Sequence, residues 1–414
     1  MGGFGRSAVI YFVSNIANAM VPFALLPILT RALGPEEYGF VAVFTILCAC
    51  ATAVISLGVG AAFTRQYYHL DQAGFAVFAG TSICVIVLLT VLGTVLSIPL
   101  GAFFKERLPL PASWISCAIA SAGALAICNA WLACAQVKSR ALQYGVFQVS
   151  MTLLNVAASL ILVLLLELQG VGRVLGQLLA FIAFAVVAVF SMWRSGWLVF
   201  IFDGASFRWL VAFGLPIIPH SISGVVISMS DRLVLGHLKG AAVVGVYAVA
   251  AQLSMIMALM VDSLNKAYVP WLYSRLALDQ ESVRRKLVRL SYVYFVGVLV
   301  LATVLSAVVP EFVVFIAGED YAAATGYLPW LFFSGAFTGM YYMVGLYINY
   351  AAQNKYLSYA STAAALLTPV ACYLLIERHG AVGAAQGALV GQIVLFVITW
   401  FCSMRAYTMP WFTR

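Results

Sequence analysis

Residues 8–62 read AVIYFVSNIANAMVPFALLPILTRALGPEEYGFVAVFTILCACATAVISLGVGAA. Two apolar runs, 8–30 and 39–62, flank one short polar turn that starts at Arg31. A run of about twenty apolar residues is long enough to cross a hydrocarbon core as an α-helix. Backbone facing lipid has no water to bond, so the hairpin must satisfy its peptide groups internally, as helices do. Gly34-Pro35 stops the first helix, because proline lacks the amide donor needed to continue it. Glu36 and Glu37 then fall in the first turn of the second, where the helix dipole favours negative charge. Pro22 and Pro27 are expected to disturb the first helix just beyond Asn15 and Asn18.

The rest of the chain follows the same plan. Of its 414 residues, 64% are hydrophobic and 9% charged, with a mean hydropathy of +1.03. A soluble domain carries about 25% charged residues, so this chain cannot cover itself in water. Barrel strands alternate in polarity, whereas these runs are continuously apolar. Twelve spans are predicted, near 8–30, 39–62, 75–100, 112–136, 143–166, 173–193, 209–229, 241–265, 287–310, 327–351, 356–376 and 382–404. The fold expected is an all-α polytopic membrane protein. The first run, without a small-residue cleavage site after it, reads as a retained helix. All eight cysteines sit in apolar runs without zinc or redox spacing and read as small buried hydrophobes.

Lys and Arg set the orientation. With the amino terminus in the cytoplasm, fourteen lie on that side, Arg65, Lys138 and Arg140 among them, and seven opposite, including Arg31, Lys105, Arg107, Arg173 and Arg232. Both termini are therefore expected in the cytoplasm. The net charge of +8 reflects this bias and attraction to anionic lipid, and needs no nucleic acid.

The two halves repeat. Gly39-Phe-Val-Ala-Val43 answers Gly245-Val-Tyr-Ala-Val249, Ala135-Gln-Val-Lys138 answers Ala352-Gln-Asn-Lys355, and Leu164–Gly170 answers Leu374–Gly380. Each match falls at the equivalent junction of a six-span unit. Six spans preserve chain direction, so the repeats are parallel, related by an axis along the membrane normal. This predicts two six-helix bundles, 1–205 and 206–414, around a central cavity. Gly172/Gly176, Gly335/Gly339 and Gly383/Gly387/Gly391 form small-residue ridges, suited to close packing inside the chain or to a homodimer seam.

Polar groups within spans are the informative ones, because burying them is costly without a partner. Asn15 and Asn18 lie in the first span, and His220 follows Pro216 and Pro219 in the seventh. Asp231-Arg232 ends the seventh, Arg65 ends the second, and Tyr341 and Tyr342 sit in the middle of the tenth. Asp262 and Lys266 are spaced i and i+4 for an ion pair, which fits a structural pair or a cavity lining. No GxxxxGK[ST] phosphate loop and no HExxH motif occurs. No long loop with paired carboxylates stands out, so catalytic and metal-ligating residues are not predicted, and no cofactor is.

Leu33-Gly-Pro-Glu-Glu-Tyr-Gly39 after Ser14-Asn15 resembles the signature turn of the polysaccharide transporter family. These are Wzx-type flippases for lipid-linked oligosaccharides, in a superfamily shared with multidrug-and-toxin extruders and lipid II flippases. Gly214–Ser221 (GLPIIPHS), Ser230–Gly236 (SDRLVLG), Val244–Tyr247, Asn265–Pro270 and Gly170–Gly172 resemble it too, in order along the full length. The resemblance implies transfer of an undecaprenyl-pyrophosphate-linked glycan from the cytoplasmic to the periplasmic leaflet of the inner membrane by alternating access. It implies no enzyme activity, and as partners the glycan lipid, membrane lipids, and a glycan polymerase with its chain-length machinery. On this reading Arg65 and Lys266 meet the pyrophosphate, with Arg31 and Arg232 as outer or gate cations. Asn15, Asn18, Tyr341 and Tyr342 line the sugar path, and Asp231, Asp262 and His220 pair with cations or couple H+ or Na+. A cation-coupled multidrug-type exporter or a lipid II flippase is the second reading, and a membrane-embedded glycan polymerase or ligase the third. The first span lacks the acidic residue that such exporters often carry.

Overall fold

The computed structural model describes the backbone of residues 2–104, 112–278, 280–351, 353 and 355–411. Helical side chains are described from residue 18 onward, except at 19, 22, 100–104, 112, 220, 267 and 270. Lys105 and Arg107 lie outside the described residues, as do two positions of the second repeat motif, 352 and 354. The described residues are helical almost throughout and contain no strand. They include ten helices long and apolar enough to cross a membrane, or eleven when one bent pair is counted as a span.

The chain divides into two compact units, Met1–Ile222 and Ser223–Arg414. The first opens with α1 (Gly2–Ile55), α2 (Val59–Gln66) and α3 (Gln72–Phe104). It continues with α4 (Ala112–Val137), α5 (Ala141–Leu160, extended by a π-turn at Ile161–Leu165), α6 (Gln169–Arg194) and α7 (Gly204–Gly214). Helix α8 (Ile217–Lys239) runs from the first unit into the second, and with α7 forms the bent pair, at 42°. The second unit adds α9 (Ala241–Leu276), α10 (Glu281–Val308) and the short α11 (Val313–Ala317). It closes with α12 (Leu328–Tyr350), α13 (Lys355–His379) and α14 (Val382–Ala406).

Helix α1 corrects one expectation and explains the span count. Its 54 residues are two helical stretches joined at Gly34, together long enough at about 1.5 Å per residue to cross a hydrocarbon core twice. It therefore contains the first two predicted spans. The break is at Gly34, not at the prolines: the helix runs on through Pro22 and Pro27. Proline is tolerated inside membrane helices where local adjustments and neighbouring groups take up the freed carbonyl.

Gly34 has φ 68° and ψ 169°, a conformation essentially restricted to glycine. Gly240, 206 residues later, has φ 85° and ψ 172° and precedes α9. That offset is the one separating Gly39 from Gly245, so at this turn the sequence repeat is also a backbone repeat.

Each unit packs around one helix of small or fully buried residues. In the first it is α4, against α1, α2, α3 and α6, with Ala118, Ala122, Cys128, Ala130 and Ala135 buried. In the second it is α12, against α9, α10 and α14, with Phe332, Ala336, Val344 and Ile348 buried. Between α13 and α14 the glycine ridge removes all spare room. A Cβ at Gly383 would lie 2.1 Å from the Leu375 carbonyl oxygen, and one at Gly387 would lie 2.6 Å from the Cys372 Cα. On α6, Gly172 and Gly176 meet the backbones of Leu162 and Ser159 in the same way. These ridges are intramolecular packing surfaces.

Around Gly34 and Gly240 no atom lies within 4 Å of an added Cβ, so a side chain there is opposed by backbone conformation alone. Gly34→Ala and Gly240→Ala are each expected to cost about 1–3 kcal/mol, seen as a lower unfolding temperature of the detergent-purified protein. Gly224→Ala, in equally open space inside α8, is expected to leave that temperature unchanged or raise it. Equal effects at all three sites would remove the conformational argument.

Candidate functional site

In the first unit, α2 and the facing turns of α4 and α5 border an open cavity of about 280 Å³. Gly60, Ala61 and Ala133 leave the space, and Thr64, Asn129, Gln136 and Tyr144 supply its polar wall. The Thr64 hydroxyl donates to its own helix, to the Gly60 carbonyl at 3.0 Å. Asn129 and Gln136 are both exposed although they lie on the most enclosed helix of the unit. Two amides facing open space from an apolar helix are poised for a polar ligand. The sequence reading passed over all four residues. The available signals were a lone asparagine inside the fourth span and the recurrence of Ala-Gln at the repeat junction.

Arg65, next to Thr64, is held by aromatic rings on α7. Its guanidinium carbon lies 5.9 Å from the centroid of Trp209 and 5.8 Å from that of Phe213. These rings, one turn apart, stack at 4.8 Å with 12° between their planes. Their helix starts where Asp203 accepts a hydrogen bond from the Ser206 amide at 2.7 Å. That amide bond is the main reason the Asp203 carboxyl sits below the ordinary carboxylate range. A cation over an aromatic face gains about 0.5–1 kcal/mol at an exposed site, which steers the guanidinium while leaving its donors available.

Other predicted residues of this unit have protein partners. Asn18 accepts a hydrogen bond from the Thr152 hydroxyl of α5, which ties α1 to that helix. Arg31 is exposed before the Gly34 break and makes contacts of its own. The Asn15 and His220 side chains lie outside those described. Arg173, expected at the start of the sixth span, lies near the start of α6. It donates to Asn155 Oδ1 at 2.7 Å and Ser159 Oγ at 2.8 Å of α5. It is a cation satisfied by neutral oxygens.

In the second unit, Lys266 pairs with Asp262 at 2.5 Å on α9, and both side chains are well exposed, 59% and 43%. An exposed i,i+4 pair contributes only about 0.3–0.5 kcal/mol, so this one holds the ammonium in place without sequestering it. Tyr342 of α12 lies within range of both charges. Its ring neighbours that of Tyr341 at 5.5 Å. Tyr341 also packs against the buried Ala360, Ala364 and Leu395. Beside Lys266, Asn265 and Tyr268 of α9 line a smaller and mostly apolar cavity of about 130 Å³ with Tyr294 and Met343.

Asp231 stands apart from that group. It is buried, and its carboxylate accepts from the Tyr247 hydroxyl at 2.5 Å and from the Arg232 amide at 2.8 Å. The neighbour in sequence, Arg232, therefore serves it through the backbone, while its guanidinium Nε is buried without a hydrogen-bond partner among the described residues. No cluster of metal-ligating side chains occurs among the described residues.

The sequence model of the family described as polysaccharide biosynthesis protein matches residues 4–277, about two thirds of the chain. The chain belongs to that family. Protein 1 of the Lsg locus of Haemophilus influenzae is 24% identical over 407 residues, covering 97% of this chain and 98% of its own length. Among solved structures, the lipid II flippase MurJ in an inward closed conformation is 13% identical with a TM-score of 0.72, over 96% of this chain and 87% of MurJ. A multidrug resistance MATE family transporter of the MOP superfamily, facing inward, is 15% identical with a TM-score of 0.70, over 96% and 94%. At such identities the likeness is one of fold. This polysaccharide biosynthesis family member is thus a multi-pass helical membrane protein with the fold of the MOP transporters.

Removing the hydroxyl that faces Asp231 leaves a buried carboxylate one partner short. Tyr247→Phe is expected to destabilise the second unit by about 1.5–3 kcal/mol, read as a several-degree drop in thermal unfolding. An unchanged midpoint would show that the carboxylate does not depend on this hydrogen bond.

Proposed function

We propose that this protein is a flippase that carries an undecaprenyl-pyrophosphate-linked oligosaccharide, a repeat unit of O-antigen, capsule or exopolysaccharide. Transfer runs from the cytoplasmic to the periplasmic leaflet of the bacterial inner membrane by alternating access, with both termini in the cytoplasm. The observation that carries this reading is the polar cavity of the first unit, lined by Thr64, Asn129, Gln136 and Tyr144, with Arg65 following Thr64 on the same helix. Hydroxyl and amide groups around a space of that size suit a sugar ring, whose own hydroxyls both donate and accept. Arginine suits a phosphate, because its planar fork presents paired donors.

The headgroup of such a lipid cannot enter hydrocarbon without replacing its water, and the protein supplies substitutes. Arg65 in the first unit and Lys266 in the second are the cations we assign to the pyrophosphate. Arg31 and Arg232 act as outer or gate cations. Tyr341 and Tyr342 join Asn15 and Asn18 along the sugar path, and Asp262 positions Lys266. Asp231 and His220 are the groups assigned to H+ or Na+ coupling. The protein makes and breaks no covalent bond, and hands its cargo to a glycan polymerase.

Proteoliposomes carrying a labelled polyprenyl-pyrophosphate glycan test this directly through leaflet exchange. The wild type is expected to exchange the lipid, and R65A/K266A to do so at least about tenfold more slowly, as expected when charged hydrogen bonds are lost. Arg65→Lys is expected to fall between them, since lysine keeps the charge but loses the fork. Full exchange by the double variant would reject the pyrophosphate assignment. Export of cationic drugs without glycan exchange would replace the flippase reading with that of a multidrug-type exporter.

A further inference from the structure

The short turn between α4 and α5 joins two walls of the polar cavity. Gln136 lines the cavity two residues before Lys138, and Tyr144 lines it one helical turn after Arg140. The turn is closed tightly. Ser139 adopts a left-handed conformation, φ 54°, and the Arg140 amide reaches back to the Ala135 carbonyl at 2.8 Å. This six-to-one closure is the one with which helices commonly end. It fixes the backbone that carries both cations.

Both cations are aimed at one ring. The Lys138 ammonium lies 4.2 Å from the centroid of Trp197, and the Arg140 guanidinium lies 4.8 Å from it. Trp197, in the connection after α6, is itself buried. Lys138 also stands 5.8 Å from the ring of Tyr67, at the end of the helix that bears Thr64 and Arg65. Among the described residues neither cation forms an ion pair with a carboxylate. Arg140 does spend one donor on Gln143 Oε1 at 3.3 Å. The first amides of α5 receive no side-chain cap, so their partial positive charge adds to the two full ones.

Two like charges drawn to one buried indole are held together against their repulsion, a state that a shared anion relieves. Burial pushes the Lys138 pKa down, and the nearby Arg140 pushes it further, while Cys134 opposes them. We infer that Lys138 and Arg140, seated on Trp197, form a docking site for the pyrophosphate of a lipid-linked glycan at the mouth of the Thr64–Tyr144 cavity. The inference rests on the flippase reading, and on the orientation proposed there the turn faces the leaflet from which the glycan is loaded. Pyrophosphate held at the turn leaves the first sugar to enter the cavity, with Arg65 next along α2.

Binding of farnesyl diphosphate to the full-length protein in detergent is the test, with dioleoylphosphatidylglycerol as competitor. The K138Q/R140Q variant is expected to raise the Kd for farnesyl diphosphate about tenfold or more, while K138R, which keeps the charge, retains binding. An unchanged Kd in a K138Q/R140Q protein that elutes as the wild type does would overturn the inference. So would displacement of farnesyl diphosphate by phosphatidylglycerol at equal concentration, since the site would then belong to bulk lipid. Glycan exchange in proteoliposomes separates the two readings. Cation-dependent diphosphate binding without wild-type exchange removes the flippase and keeps the site. Wild-type exchange with unaltered binding and exchange in K138Q/R140Q removes the site and keeps the flippase.

Discussion

A peptide group in hydrocarbon has no water to bond, and every other feature of this molecule is arranged around that constraint. The backbone answers it by remaining helical, with its breaks gathered at a few residues such as Gly34 and Gly240. Side chains answer it by pairing: Thr152 with Asn18, Arg173 with Asn155 and Ser159, Tyr247 with Asp231. Against this habit of internal satisfaction, a polar group facing open space is conspicuous. Asn129 and Gln136 have no side-chain hydrogen bond among the described residues, and they border the larger cavity.

Space and contact are governed by the same small residues. Where Gly383 and Gly387 line up, α13 and α14 approach backbone to backbone, and Gly391 makes room for the Thr368 side chain. Where Gly60, Ala61 and Ala133 come together the short side chains leave a gap between packed helices, and the result is a cavity. A glycine is thus a tool for closeness or for emptiness, and the neighbouring helix decides which. That difference is invisible in a count of small residues.

The helical membrane fold was legible because apolar runs near twenty residues, recurring from residue 8 to residue 404, have few other solutions. The repeat was legible from short matches such as Gly39–Val43 with Gly245–Val249, which begin five residues after the turns at Gly34 and Gly240. Individual roles were harder to read. Asp231-Arg232 looks like an ion pair in a string of letters, yet the carboxylate turns to Tyr247, sixteen residues away on the next helix. Successive side chains on a helix point in different directions, so adjacency in sequence is a poor guide to contact. Arg65 stands out in the sequence by its charge, but the rings that aim it, Trp209 and Phe213, lie on another helix and carry none. In sequence, Lys138 and Arg140 count toward orientation, and Lys138 toward the repeat, and neither marks a binding site. Their shared tryptophan comes from a connection far along the chain.

Gly34 and Gly240 share a backbone conformation while the residues after them differ: Pro35-Glu36-Glu37 in one half, Ala241-Ala242-Val243 in the other. The side chains differ between the halves and the backbone conformation at the turn does not. What the two halves hold in common is therefore a pair of torsion angles more than a string of residues. An ancestral half-length chain, joined to a copy of itself, would leave this trace: a coordinate of the fold preserved after most of the text that first encoded it had been rewritten.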